Sequence, residues 1–490
     1  MTTPRRLILT SLAALLALPG VAAAQDRHSD SMSHVKNLPF EVREDLGQST
    51  SYGTDVEFGT IKGRRYAFAG SELNGLQIAD ISDPRKAKIV KAYDCAVSQG
   101  DTQVFKRSGS TYVTYTNDYE NTKQTANSRC YREVARKGFD AVDASGNARL
   151  GTVIIDVSNV RKPKAVSFVS FPRGSHNMTV HPSGRYLYNS NSDLIAFEGG
   201  LPTLEVVDIT NLRKPVQTAT VDITPLPGLG ADSHDITFND EGTRAYSAAL
   251  SHGVILNTED PAHPEIVSEF DDESINVWHQ SDPVTIDGRE FLIVEDELAG
   301  AAGPGVCPTG GVHVFDISDE TIPVKVGYWN IDDPALRDPL DTCTAHVFDI
   351  HEDEQIMTIA YYMGGVRVVD LSGLADLPIG ASVGELEIPG AMREVGHFVM
   401  EDANAWSAKT PQIEPDGDFY LYADDINRGL DVYRYDAQKA PSANAGTFLT
   451  AAAAERKLTS AVNLGAVTKR EQRRTIDNQV LCLIKAARRN

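Results

Sequence analysis

Five of the chain's 12 histidines sit at the head of a short strand-like run: GSHNMTV (His176), DSHDITF (His234), VWHQSDPV (His279), TAHVFDI (His346) and VGHFVME (His397). Neutral imidazole nitrogen is a good ligand for zinc, copper or iron. Imidazoles repeated in one register would therefore offer three or four ligands to a divalent transition metal. Two earlier segments of the same kind carry polar residues instead, YGTDVEF (Thr54, Asp55) and QGDTQVF (Asp101, Thr102, Gln103).

Acids stand where they could support such a centre. Glu295, Asp296 and Glu297 close one strand-like run, Asn117 and Asp118 another, and Asp424 and Asp425 a third. A carboxylate near a metal can ligate it, orient an imidazole ligand or take a proton. Glu295 and Asp235 are the expected catalytic carboxylates. Other signatures are missing: the chain has no G-x-S-x-G elbow, no phosphate loop with lysine, no dinucleotide fingerprint after a strand and no Cys-x-x-Cys. Two readings follow. One is a metal-dependent hydrolase, or with copper or iron an oxidase; the other is a non-catalytic scaffold binding a small molecule, a wall component or another protein. Convergence separates them, since a scaffold has no need of imidazoles in one register.

The elements that would bring these residues together repeat along the chain. GLQIADISDPRKAKIV, GTVIIDVSNVRKPKAV, TLEVVDITNLRKPVQT, GVILNTEDPAHPEIV, GVHVFDISDETIPVKV and GVRVVDLSGLADLPIG share one plan, and GLDVYRYD is a truncated seventh copy. Each is a β-branched strand followed by Asp or Asn with Ser or Thr, which turns the chain by bonding its own backbone, and then a further strand. A hairpin turn usually holding glycine (TIKGRR, RSGS, HPSGR, NDEGTR, TIDGRE, EPDGD) precedes each copy. Four antiparallel strands per unit and seven units predict an all-β fold, a seven-bladed β-propeller over residues 35–436. The segment 35–44 is expected to supply the strand that the last copy lacks. In a propeller the first strand of each blade lines the axis, so the histidine runs would form a ring at one channel mouth.

The strands GTVIIDVS, TLEVVDIT, GVHVFDIS and GVRVVDLS resemble the LVIVD-repeat family of secreted bacterial β-propellers. The resemblance spans roughly residues 50–436 and implies the fold.

On this topology Cys95 and Cys130 fall in loops of one blade, and Cys307 and Cys343 in neighbouring loops on the histidine face, which predicts disulfides Cys95–Cys130 and Cys307–Cys343. Cys482 is left over, a small apolar residue beside Leu481 and Leu483. Disulfides agree with the leader: Arg5 and Arg6, an apolar run and Ala22 to Ala24 read as a signal peptide over residues 1–24, giving a secreted or periplasmic protein. The net charge is −22, and residues 437–490 form a basic, helix-favouring tail, so the body is more acidic still. Such a body repels phosphate backbones and argues against nucleic acid as a partner. No second apolar stretch is long enough to span a membrane.

Overall fold

The computed structural model describes residues 26–44, 49–119, 122–192, 203–224, 232–297, 308–331, 343–377 and 391–441. Among these, the strands form seven antiparallel sheets around one axis, each running in sequence order from the axis outward save for the N-terminal strands at the outer edges of blades six and seven. The innermost strands of blades one to seven are Gly53–Ile61, Thr102–Arg107, Asn177–Val180, Asp235–Phe238, Trp278–Ile286, His346–His351 and Ala405–Lys409.

The repeated strand is the third of each blade, and its composition explains the stacking. Successive side chains of a strand point to opposite faces. In Gly151–Asp156, Val153 and Ile155 pack towards blade one with Phe68 and Ile78, while Ile154 packs towards blade three with Met178 and Leu187. The same alternation produces an apolar layer between every adjacent pair of blades, including blades seven and one, where Val432 and Leu430 meet Val56 and Ala67. The Asp that ends the strand makes the expected turn. Asp156 accepts the N–H of Ser158 at 3.0 Å, Asp316 that of Ser318 at 3.0 Å and Asp370 that of Ser372 at 2.9 Å.

The inner strands are also stitched side chain to backbone around the axis. Thr54 donates to Gly100 O, Asp101 accepts from Met178 N, Thr179 donates to Ile236 O and Thr237 to Asp282. Gln280 bonds both the N–H and the C=O of Phe348, Thr410 N donates to Asp349, and Ser407 donates to Thr54 O. These contacts fix the height of each inner strand against the next.

Closure comes from the N-terminal segment. Met32–Leu38 pairs antiparallel with Gly429–Tyr435 as the outermost strand of blade seven, from Met32↔Tyr435 to Leu38↔Leu430. The closing strand thus starts ahead of the expected segment, because Met32 as well as Leu38 is buried. Arg27–His28 adds a short fifth strand to blade six.

Blade six corrects one expectation. His397 is not at the head of an inner strand: it lies in Arg393–Val399, the fourth strand of blade six, paired with Glu394 at 2.7 Å and 30% exposed. The connection after the third strand, Val366–Asp370, is long in this blade, so its fourth strand falls where even spacing would place the next blade's first. The inner strand of blade seven is Ala405–Lys409, and it brings Trp406 to the axis instead.

Helices Lys123–Asn127 and Arg129–Arg136 fill the insertion of blade two, and Cys130 joins Cys95 there. Cys343 is also disulfide-bonded; its expected partner Cys307, with Cys482, the leader and the tail from residue 442, lies outside the described residues. No described helix is long and apolar enough to cross a membrane.

Two outcomes follow. A chain shortened to begin at Pro39 loses the burial of Met32 and Leu38 and exposes the edge of blade seven; it should melt about 5 °C lower or more, and an unchanged circular-dichroism melt would refute this role for the strand. Cys130→Ser removes the Cys95–Cys130 bridge alone, whose partners are 35 residues apart, and should cost about 3–4 kcal/mol in urea unfolding under non-reducing conditions; an unchanged midpoint would refute this.

Candidate metal centre at the axis

His176, His234, His279 and His346 stand side by side at the heads of four consecutive inner strands, each 2% exposed or less. Adjacent ring centroids are 4.5, 3.9 and 4.5 Å apart, and Trp406 continues the arc 4.8 Å beyond His346. The strand pairing slips a register at His279, where Trp278 faces Asp296 and Gln280 faces Glu295, and again just after His346. Such bulges turn a side chain that would otherwise follow the alternation. In blade two the corresponding position is Gly100, at φ +86°, where a Cβ would stand 3.0 Å from the Tyr115 hydroxyl. Its neighbour Gln99 reaches in instead, and its Nε2 lies 3.2 Å from Nε2 of His176.

The four rings are held by the same nitrogen. Nδ1 of His234 lies 2.9 Å from the carbonyl of His279, and Nδ1 of His346 bonds the carbonyl of Trp406. A carbonyl only accepts, so both Nδ1 atoms carry the proton and the neutral rings present Nε2 as a lone pair. Nδ1 of His176 meets Asp118 Oδ2 at 2.9 Å and Nδ1 of His279 meets Glu295 Oε2 at 2.6 Å. This is the outer support that metal-ligating histidines have.

A carboxylate closes the site. Glu297 lies 3.6 Å from Nε2 of His279 through Oε2 and 3.8 Å from Nε2 of His346 through Oε1, and Tyr362 donates to Oε1 at 2.6 Å. Ligand atoms of His279, Glu297 and His346 all fall within 4.8 Å of one another. Zinc bound at about 2.0–2.2 Å to each would draw such atoms to roughly 3.0–3.5 Å, so the two Glu297 contacts must shorten by a few tenths of an ångström and the widest separation by up to about 1.3–1.8 Å. Nε2 of His279 and Oε2 of Glu297 are buried without a hydrogen bond, which a cation between them would remedy.

Electrostatics agree. Burial, reinforced by the neighbouring imidazoles, pushes His279 well below the usual histidine range, and burial takes His346 down to about 3. Burial pushes Glu297 up to about 8 and, with Glu297, Asp296 and Asp235 nearby, holds Glu295 well above the ordinary carboxylate range. Neutral imidazoles and proton-holding carboxyls are what a dry, acid-rich site without a basic partner must contain.

Of the residues expected from sequence, the structure brings His176, His234, His279 and His346 together and leaves His397 on the outer strand of its blade. Glu295 stands behind His279, on its Nδ1 side, whereas Asp235 lines the axial cavity one residue past His234. Glu297 was noted at the strand end, but nothing local separates it from Glu295; only the fold shows which of the two faces both imidazoles.

The LVIVD repeat family model matches residues 61–95, within blade one. No curated protein matches the sequence. Among solved structures, the periplasmic gluconolactonase of Pseudomonas aeruginosa superposes with a TM-score of 0.50 at 12% identity, covering 79% of this chain and 95% of that one. Sqt1 of Saccharomyces cerevisiae gives 0.47 at 10% identity, covering 84% and 87%. At such identity the likeness to the lactonase is one of fold. The chain is a seven-bladed β-propeller that carries an LVIVD repeat in blade one.

Proposed function

We propose that this propeller is a metal-dependent hydrolase that works outside the cytoplasm. One observation carries the reading: the Glu297 carboxylate lies between Nε2 of His279 and Nε2 of His346, with both rings anchored through Nδ1. Two imidazoles and a carboxylate are a ligand set of hydrolytic zinc, and copper or iron would also accept these donors. A metal held there would acidify water and polarise a substrate carbonyl.

The chain's own groups do the rest. Tyr362 orients Glu297 through its hydroxyl, and Glu295 holds the ring of His279. His234, next in the arc, presents a neutral Nε2 that can take a proton from the attacking water, and this base is what favours hydrolysis over oxidation. His234 would then return that proton to the leaving group, with Asp235 on the cavity wall beside it. The leader and the disulfides support work outside the cytoplasm.

A second reading has its own support. With a carboxyl group pushed up to about 8, Glu297 keeps its proton at neutral pH and can share it with an imidazole, so the cluster could satisfy itself in a non-catalytic scaffold.

Elemental analysis of protein purified from the exported fraction without chelator decides between them. Wild type should hold about one equivalent of zinc, copper or iron. A His279→Ala, His346→Ala variant that still melts cooperatively should hold none. Glu295→Gln should keep the site but weaken metal affinity about 10–100-fold. Wild type without metal, even after each of the three is added back, would overturn the hydrolase and leave the scaffold.

A further inference from the structure

Along the axis from the histidine arc runs a cavity of about 380 Å³, reaching the turns that hold Pro182 and Asp240. That is the liquid volume of about a dozen waters, enough for a small organic molecule. Its wall carries Asp55, Glu57, Asp101, Asp235, Asp282 and Asp349, and Lys409 is the one lysine or arginine among the described lining residues.

Lys409 shows how this wall binds an ammonium group. Its Nζ lies 2.9 Å from Asp55 and 2.8 Å from Glu57. Asp349 is paired with His351 at 3.1 Å. The other three have only neutral hydrogen-bond partners among the described residues, with Lys409 acting on each at longer range. Asp101 accepts from the N–H of Met178, Asp235 from that of Ile236, and Asp282 from Thr237 and Gln280. At the inner end stands Nε2 of His279, buried and without a hydrogen bond. The cavity therefore carries more carboxyl groups along its length than Lys409 can partner, and at its head an imidazole nitrogen without a hydrogen bond.

The arrangement selects an organic cation over an inorganic one. A calcium ion needs six to eight oxygens at about 2.3–2.6 Å. Among the described residues, the group of metal-type donors that converges within 4.8 Å is His279, Glu297 and His346, and none of the wall carboxylates belongs to it. Charges spread over a wall suit a molecule whose own charge lies some distance from its reacting end.

We infer that the axial cavity binds a small aliphatic amine, its ammonium on Asp235 and Asp282 and its other end at the histidine arc. That this amine is also the substrate rests on the proposed hydrolase; that it binds does not. Anions are repelled by the same wall, and a neutral molecule of the same length gains nothing from it.

Calorimetry on the full mature protein stripped of metal tests this with 1,4-diaminobutane, 1,4-butanediol, succinate and calcium. The diamine should bind about 30-fold or more tighter than the diol, weaken as salt is raised, and leave succinate without measurable binding. The near-isosteric Asp235→Asn, Asp282→Asn pair, checked for an undiminished melting temperature, should lose about 30-fold in diamine affinity. His279→Ala, which removes the ring nitrogen at the head of the cavity, should weaken the diamine as well. Equal affinity for diol and diamine, or diamine binding indifferent to both asparagine substitutions, would overturn the inference. So would calcium binding stoichiometrically in place of the diamine. Because metal is absent throughout, diamine binding in a protein that proves to hold no metal would sink the hydrolase alone, and metal without diamine binding would sink the amine alone.

Discussion

A neutral imidazole has one proton to place, and at this axis a fixed acceptor decides where it goes. The carbonyls of His279 and Trp406 hold the Nδ1 protons of His234 and His346, so the lone pairs of those rings are at Nε2. In each case the acceptor belongs to the next blade. His176 is held by Asp118 of the preceding blade. The chemistry of one blade is therefore set by its neighbour, and the site exists only while the blades keep their relative height.

That height is what the rest of the fold maintains. The apolar layers between blades provide cohesion, but hydrophobic burial is non-directional and would tolerate sliding. Direction comes from the bonds stitching inner strand to inner strand, such as Thr237 to Asp282 and Gln280 to Phe348. A ring of this kind has to close, and it does so by pairing Met32–Leu38 with the last strand of the chain. The N-terminal segment lies at the outer edge of blade seven, yet it completes the circle on which every axial contact depends.

The axis itself is assembled against an electrostatic cost. Glu57 and Asp235 are each raised to about 7, chiefly by burial, with the nearby Asp55 and Asp282 adding to it. Carboxyl groups gathered in this way are destabilising unless something cationic joins them. Lys409 neutralises part of the wall, and the histidine end holds neutral rings beside Glu295 and Glu297. Apolar residues at these positions would be more stable, so the axis holds its buried acids at a cost to folding stability.

Much of this could be read from the residues alone. The recurrence of a β-branched strand ending in Asp and Ser or Thr specifies the blade, because alternation and turn chemistry are local, and seven copies specify the ring. Four of the five histidines and the acids that overlook them were legible for the same reason: a strand's first residue and its neighbour's last lie at one end of the sheet. The Cys95–Cys130 pairing followed from that topology. What the sequence could not decide was anything that depends on connection length or on the facing blade. His397 has the local setting of the others but belongs to an outer strand, since a long connection displaced it and no local signal marks the displacement. Glu295 and Glu297 are two residues apart and alike in sequence, yet one supports His279 from behind and the other faces two imidazoles. Their roles were settled only when a bulge turned His279 and the next blade brought His346 and Tyr362 against Glu297, because proximity across blades is a property of the closed ring and of no segment within it.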